Sequence, residues 1–415
     1  MKRLLPLILV LLLILTSCRA DMPEKETEAP DVTASEITEE AAEQEPTEET
    51  EPETEAKKED DIDRQIKKMS LEEKIGQMFM VTPEALVGTC EKAELNGEAS
   101  ENAVTAFGSE LKEAMEKYRP GGVIMFYQNL TSPEQIKEFN SQLQSHSDIP
   151  LFIGIDEEGG RVARIGNNEN FPEQNVGAMA DIGASGSSIN AYEVGKTIGA
   201  YLKGYGFNLD FAPDADVNSN PDNTVIGDRS FGSDPELVAD MVTAAQNGFL
   251  VSGTFSCVKH YPGHGDTSAD THDGFVSVDK TWDQLLETEL IPFKAAIENG
   301  TQFIMASHIT CPEITGDEYP ATLSYTLLTE KLRGELGYDG IIITDGMNMG
   351  AITDNYSSSE AAVLAAAAGV DIILMPYDLD AAYNGLLEKV QKGVISEERI
   401  DQSVRRILLL KDKYL

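Results

Sequence analysis

From residue 61 onward, short apolar runs alternate with longer amphipathic stretches. The runs are Gln77–Val81, Gly122–Phe126, Leu151–Ile155, Phe207–Phe211, Phe255–Lys259, Phe303–Ala306, Gly340–Thr344 and Asp371–Met375. Their continuous Val, Ile and Phe content predicts strands buried on both faces, as a parallel sheet requires. Between them, Ser109–Tyr118, Pro133–Ser145, Ile189–Tyr205, Pro235–Val251, Thr281–Asn299 and Tyr325–Leu336 carry helical patterns. Eight strands, each followed by a helix, predict an α/β fold: a single (β/α)8 barrel of TIM type. The stretch Ala85–Ala106 reads as an inserted loop or extra helix after the first strand. A last helix, Ser396–Tyr414, has a Ser cap and Glu397–Glu398 in its first turn. The pattern leaves no expected second domain after it.

Before residue 61 the texture differs. Lys2 and Arg3 precede an apolar stretch, Leu4 to Leu15, that is short for a membrane span and suits a signal segment. It ends in Leu15-Thr16-Ser17-Cys18, which resembles the lipobox of bacterial lipoproteins. Residues 1–17 would then be removed and Cys18 lipidated, anchoring the chain to the outer side of a cell membrane. The plainer alternative is a secretory signal with a chance cysteine. Residues 18–60 are Glu, Thr, Pro and Ala with almost no large apolar side chain, so they are expected to be a disordered tether. The folded domain is expected over 61–415.

Charge adds one exclusion. The chain has 72 acidic residues against 32 Lys plus Arg, a formal net charge of −40. That argues against nucleic acid as a partner. Residues 19–60 carry −13 of it and residues 1–18 carry +2, leaving −29 on the expected barrel. The other cysteines, Cys90, Cys257 and Cys311, do not form a disulfide framework, and Cys257 and Cys311 flank apolar runs as small buried hydrophobes do.

Catalytic groups of such a barrel stand at the C-terminal ends of its strands. Polar residues gather there: Asp156-Glu157-Glu158-Gly159-Gly160-Arg161, then Asp214 and Asp216, then Lys259-His260-Tyr261-Pro262-Gly263-His264-Gly265-Asp266, then Ser307-His308, then Thr344-Asp345-Gly346. Four of the five histidines lie on these loops, and only His146 lies elsewhere. Asp345 follows Ile341-Ile342-Ile343, so its carboxylate emerges from a dry core. It can be a nucleophile toward an electron-poor carbon or a cap for the next helix. Asp270 and His272, two apart on an extended loop, point to one side, and the carboxylate favours the imidazolium. His272 is therefore a candidate proton donor and acceptor, or a loop histidine bonded to a neighbour. His260 and His264 are four apart, but Pro262, Gly263 and Gly265 exclude the helix that would turn this into a metal motif. No metal and no cofactor is expected.

Lys259-His260-Tyr261-Pro262-Gly263-His264-Gly265 followed by Asp270-Thr271-His272 resembles the signature of glycoside hydrolase family 3 β-N-acetylglucosaminidases of the NagZ type. Further similarity lies in Leu71–Met78, Ile155–Val162, Gly227-Asp228-Arg229-Ser230-Phe231-Gly232 and Ile343–Met349. The resemblance spans about residues 62–415. It implies that Asp345 is the catalytic nucleophile, that His272 is the general acid/base with Asp270 as its partner, and that Asp156, Arg229, Lys259 and His260 hold the terminal N-acetylglucosamine. The implied substrate is a GlcNAc-containing cell-wall fragment or related oligosaccharide. A histidine acid would also keep a second negative charge away from an anionic leaving sugar. Glu157 departs from the Gln more often found in the family, a change expected to matter little. The competing readings are a family 3 β-glucosidase, which lacks the Asp-His element, a phosphorylase, and a sugar-binding lipoprotein.

Overall fold

The structure, a computed structural model, describes residues 51–88, 102–267 and 276–415. The expected signal segment, the lipidation site Cys18, Cys90, Asp270 and His272 lie outside the described residues.

Eight parallel strands form one sheet: β1 (Phe79–Val81), β2 (Gly122–Ile124), β3 (Phe152–Ile155), β4 (Leu209–Asp210), β5 (Phe255–Tyr261), β6 (Phe303–Ala306), β7 (Ile341–Thr344) and β8 (Ile373–Leu374). Each pairs with its neighbours in sequence, and β8 pairs with β1 through Phe79 opposite Ile373. The remaining seam is joined by a parallel bridge from Ile343 to Ile372, with Thr344 N donating to Ile372 O at 3.0 Å. The expected (β/α)8 barrel is therefore what the chain builds; seven of the predicted runs contain their strand, and β5 continues two residues past the predicted Phe255–Lys259 to Tyr261.

Alternation along these strands divides the core in two. Met80, Ile124, Phe152, Leu209, Phe255, Cys257, Phe303, Met305, Ile341, Ile343 and Leu374 fill the barrel interior. Phe79, Val123, Ile153, Val258, Ile304 and Ile342 face the surrounding helices. Those helices include α1 (Glu51–Ile66), α2 (Leu71–Gln77), α3 (Ser109–Tyr118), α4 (Pro133–Ser145), α5 (Ser188–Gly204), α6 (Pro235–Ser252), α7 (Leu290–Glu298), α8 (Thr326–Glu335), α9 (Ser358–Ala368), α10 (Leu379–Gln391) and α11 (Glu397–Tyr414).

Three expectations change. Residues 51–60, expected in the tether, belong to α1. Glu59 meets Arg405 of α11 at 2.9 Å, Lys58 meets Asp412 at 3.0 Å, and Ile62 and Ile66 are buried. The helix expected over Thr281–Asn299 is broken into Trp282–Leu286 and α7, with the buried Glu289 carboxylate on Lys280 at 2.5 Å. The helix α8 is wound with wide π-type turns, Leu336 N reaching Lys331 O. The expected insert begins as a short helix, Pro83–Val87, capped by Thr82, and the described chain resumes at Asn102.

Candidate active site

The inward-facing register explains which side chains reach the barrel mouth. Ile341 and Ile343 face inward, so Asp345 does too at the tip of β7. Phe255 and Cys257 lead to Lys259 in the same way, and Phe152 and Gly154 lead to Asp156. These three residues, with Glu158, Arg164, Arg229, His260 and His264, line a cavity of about 450 Å³ floored by Phe211, Met305 and Leu374. A second cavity of the same volume opens beside Gln77 and Ile149, near the strands' N-terminal ends, and contains none of the strand-tip residues.

Beyond β3 the chain reverses in a small hairpin, Glu157–Gly159 against Val162–Ala163. The turn needs left-handed backbone at Gly159 (φ 99°) and Gly160 (φ 55°). Glu157 ties this hairpin down. Its buried carboxylate accepts N–H bonds from Arg164, Ile165 and Gly166 at 2.6, 2.8 and 2.8 Å and the Tyr201 hydroxyl at 2.8 Å. Burial pushes its pKa up, and those donors oppose the shift. Its neighbours Asp156 and Glu158 are thereby held toward the cavity.

Glu158 is the centre of a charged lattice. Arg229 grips it with two bonds, Nε to Oε2 at 2.8 Å and Nη2 to Oε1 at 2.7 Å, and Lys259 Nζ stands 2.6 Å from Oε1. Lys259 also donates to Asp156 at 2.9 Å, and Arg164 lies 3.5 Å from the other Asp156 oxygen. Burial works to raise both carboxyl pKa values. The facing cations outweigh it, so Asp156 and Glu158 are held below the usual carboxylate range.

His260 is oriented from behind. Asp216 lies 2.7 Å from its Nδ1 and accepts the His264 backbone N–H at 2.6 Å. Arg229 Nη2 stands 3.3 Å from His260 Nε2. A guanidinium can only donate, so Nε2 is the acceptor and the ring proton sits on Nδ1, facing Asp216. Burial and then the Arg229 charge push the His260 pKa down to about 4, which keeps the ring neutral. Asp214, Asp216 and His260 bring three possible ligand atoms within 4.8 Å of one another. Asp216 bonds both histidine segments, and Arg229 lies 3.7 Å from the buried Asp214 Oδ2.

Asp345 is half-buried. Its backbone N–H donates to Ala306 O at 2.8 Å, and its Oδ1 accepts the Gly346 N–H at 2.7 Å. His308, at the tip of β6, lies 2.9 Å from Gly346 O through Nε2 and 2.9 Å from Thr322 Oγ1 through Nδ1. A carbonyl only accepts, so Nε2 carries the proton and fixes the peptide that follows Asp345.

Of the residues singled out from sequence, Asp156, Arg229, Lys259, His260 and Asp345 meet in one cavity. Glu158, Asp216 and His308 belong with them and were not assigned roles. Glu158 and Asp216 lie within strand-tip acidic groups, but their spacing does not say which carboxylate turns inward to a cation.

A parallel (β/α)8 barrel with buried carboxylates and cations gathered at its C-terminal mouth has its charged cavity where barrel enzymes carry their active sites. The profile described as "Glycosyl hydrolase family 3 N terminal domain" matches residues 70–410, and the chain belongs to that family. It is 37% identical over 339 residues to Beta-hexosaminidase A of Pseudoalteromonas piscicida, covering 75% of this chain and 56% of that one. It is 33% identical over 281 residues to Beta-hexosaminidase LpqI of Mycobacterium tuberculosis, covering 63% and 68%. A solved family 3 beta-N-acetylglucosaminidase from Paenibacillus sp. str. FPU-7 superposes with a TM-score of 0.74 at 39% identity, covering 83% of this chain and 63% of that one. The chain thus spans somewhat over half the length of the first of these relatives.

Proposed function

We propose that the chain is a retaining exo-β-N-acetylglucosaminidase acting on terminal β-linked GlcNAc of cell-wall fragments or related oligosaccharides. The observation that carries this reading is the placement of Asp345 in the same cavity as the Asp156–Lys259–Glu158–Arg229 lattice. Charged donors and acceptors in fixed array suit sugar hydroxyls. The relatives' names support the amino-sugar specificity.

In this mechanism the Asp345 carboxylate attacks the anomeric carbon as the glycosidic C–O bond breaks, and His272 gives its proton to the leaving oxygen. Water then attacks the glycosyl-enzyme ester and passes a proton to His272, releasing Asp345. Asp270 stabilises the imidazolium.

Asp345→Ala is expected to lower turnover of p-nitrophenyl N-acetylglucosaminide by on the order of 10⁴-fold. Azide should then fill the vacated face and give the glycosyl azide of inverted configuration. Undiminished turnover in that variant defeats the reading. The membrane attachment rests on Cys18. Cys18→Ala should shift the protein from the membrane fraction to the medium, and unchanged membrane retention defeats that part.

A further inference from the structure

We propose that His308 is a positioning residue for Asp345: held by Thr322 with its proton on Nε2, it fixes the Gly346 carbonyl and so aims the nucleophilic carboxylate. This rests on the glycosidase reading above.

The need for such a residue lies in where the sheet stops. β6 and β7 pair as far as Thr344 opposite Ala306, and the Asp345 N–H to Ala306 O bond at 2.8 Å is their last backbone rung. Gly346 comes next, and its N–H holds Asp345 Oδ1 at 2.7 Å. Glycine is the residue whose backbone turns most freely, so this hold is only as firm as whatever fixes Gly346. The Gly346 carbonyl accepts the Met349 N–H at 3.0 Å, which closes a turn within its own segment. The peptide unit joining Gly346 to Met347 is then held from both sides. Its N–H donates to Leu374 O on β8 at 2.9 Å. Its carbonyl takes His308 Nε2 at 2.9 Å, so a side chain extends the β6–β7 ladder by one rung.

The ring is itself set from behind. His308 and Thr322 are both fully buried. The Thr322 N–H donates to Ser307 O at 3.1 Å, and its hydroxyl stands 2.9 Å from His308 Nδ1. A hydroxyl can donate there, which leaves the ring proton on Nε2, where the carbonyl requires it. Asp345 and Gly346 line the strand-tip cavity, and His308 is not among its walls. It therefore acts through Asp345 rather than on the substrate.

The consequence is kinetic. The sugar is gripped by the lattice of Asp156, Glu158, Lys259 and Arg229, which His308 does not touch. Bond formation needs an Asp345 oxygen in line with the breaking C–O bond, and a misplacement near 1 Å costs about 10²-fold. Loss of the tie lowers kcat and spares ground-state binding.

The test uses the full chain and p-nitrophenyl N-acetylglucosaminide. His308→Ala should lower kcat by about 10²-fold, while the inhibition constant of free N-acetylglucosamine stays near that of the unaltered protein. His308→Gln, whose amide N–H can reach the Gly346 carbonyl, should recover part of the loss. Thr322→Val should lower kcat less than His308→Ala does, and Thr322→Ser, which keeps the hydroxyl, should recover it. If His308→Ala does not fold, His308→Gln and the Thr322 pair decide. Unchanged kcat in the folded His308 and Thr322→Val variants overturns the role. A loss of N-acetylglucosamine binding that matches the loss of kcat overturns it too, since a merely structural role would weaken both. NMR of the ring nitrogens should find the His308 proton on Nε2, and a bare Nε2 overturns the hold. That measurement needs no turnover, so an unaltered protein inert toward the chromogenic substrate would defeat the glycosidase reading separately.

Discussion

Glu158 is almost fully buried, and its charge is answered by Arg229 and Lys259 at hydrogen-bond distance. Such a lattice is a site more than a stabiliser, because desolvation consumes most of what the attraction returns. Breaking it is costly, since it strands a charge. Arg229→Ala is expected to cost about 3 kcal/mol in chemical denaturation and to abolish turnover. Glu158→Ala/Arg229→Ala together should cost less than the sum of the singles. The acid side of the pH profile follows from His260. Its folded pKa of about 4 lies below the ordinary value of 6.5, so below that value the unfolded chain takes a proton that the fold refuses. Stability from this group is complete above pH 6.5 and is lost as pH falls toward 4, by about 3 kcal/mol at the limit. Asp156 and Glu158, held low, push the same way at still lower pH. His260→Gln should make the thermal midpoint less sensitive to acid through this window than it is in the unaltered protein. Glu157 reverses an expectation. Four donors converge on it, and a Gln has one acceptor oxygen to offer them. Glu157→Gln should cost about 2 kcal/mol here, read as a lower midpoint. Sequence marks the residue types of this site well, because polar groups at strand tips are conspicuous. It does not show which of Asp156, Glu157 and Glu158 turns to the cavity and which turns back to staple the hairpin.

The elements were legible where composition broke symmetry. Buried parallel strands are continuous apolar runs, and helices α3 to α6 have one polar face. Helix α9, Ser358–Ala368, was not singled out because its run of alanines has no polar stripe to phase. The first ten residues of α1, 51–60, read as tether because they are rich in Glu and hold no large apolar side chain, and the buried Ile62 and Ile66 come only after them. Helix α11 shows the opposite case. Ile400, Val404, Ile407, Leu408 and Lys411 make one buried stripe, and its last member is a lysine. Lys411 Nζ donates to Gln77 Oε1 and Gly121 O, both at 2.8 Å, and sits 4.8 Å from the Phe152 ring at the barrel's N-terminal end. Burial drives its pKa well below 10.5. The unfolded chain therefore binds a proton that the fold disfavours, and stability from this site rises with pH. As pH rises toward the ordinary lysine value of 10.5 the protein should gain stability, and Lys411→Met should remove this site's share of that slope. An unchanged slope in the variant would falsify the assignment.

At the scale of the molecule, the barrel and its helical coat carry separate apolar cores, and α1 reports where the second one ends. Lys58–Asp412 and Glu59–Arg405 hold the start of α1 to α11, but these side chains are 37% to 57% exposed, and water screens such pairs. Ile62 and Ile66 are 5% and 4% exposed and belong to the outer core. The two contributions can be separated by shortening the chain. Beginning it at Asp61 removes both ion pairs and keeps Arg405–Asp63. That should cost about 1 kcal/mol or less and depend on salt. Beginning it at Ser70 keeps the capping box with Glu73 but removes both isoleucines, at a cost of about 4 kcal/mol. Thermal unfolding should show a small step for the first deletion and a large one for the second, while the strand-tip cavity is left intact in both. Equal steps would mean that the ion pairs, rather than the two isoleucines, secure this part of the domain, and the boundary drawn from the hydrophobic pattern at residue 61 would lose its physical basis.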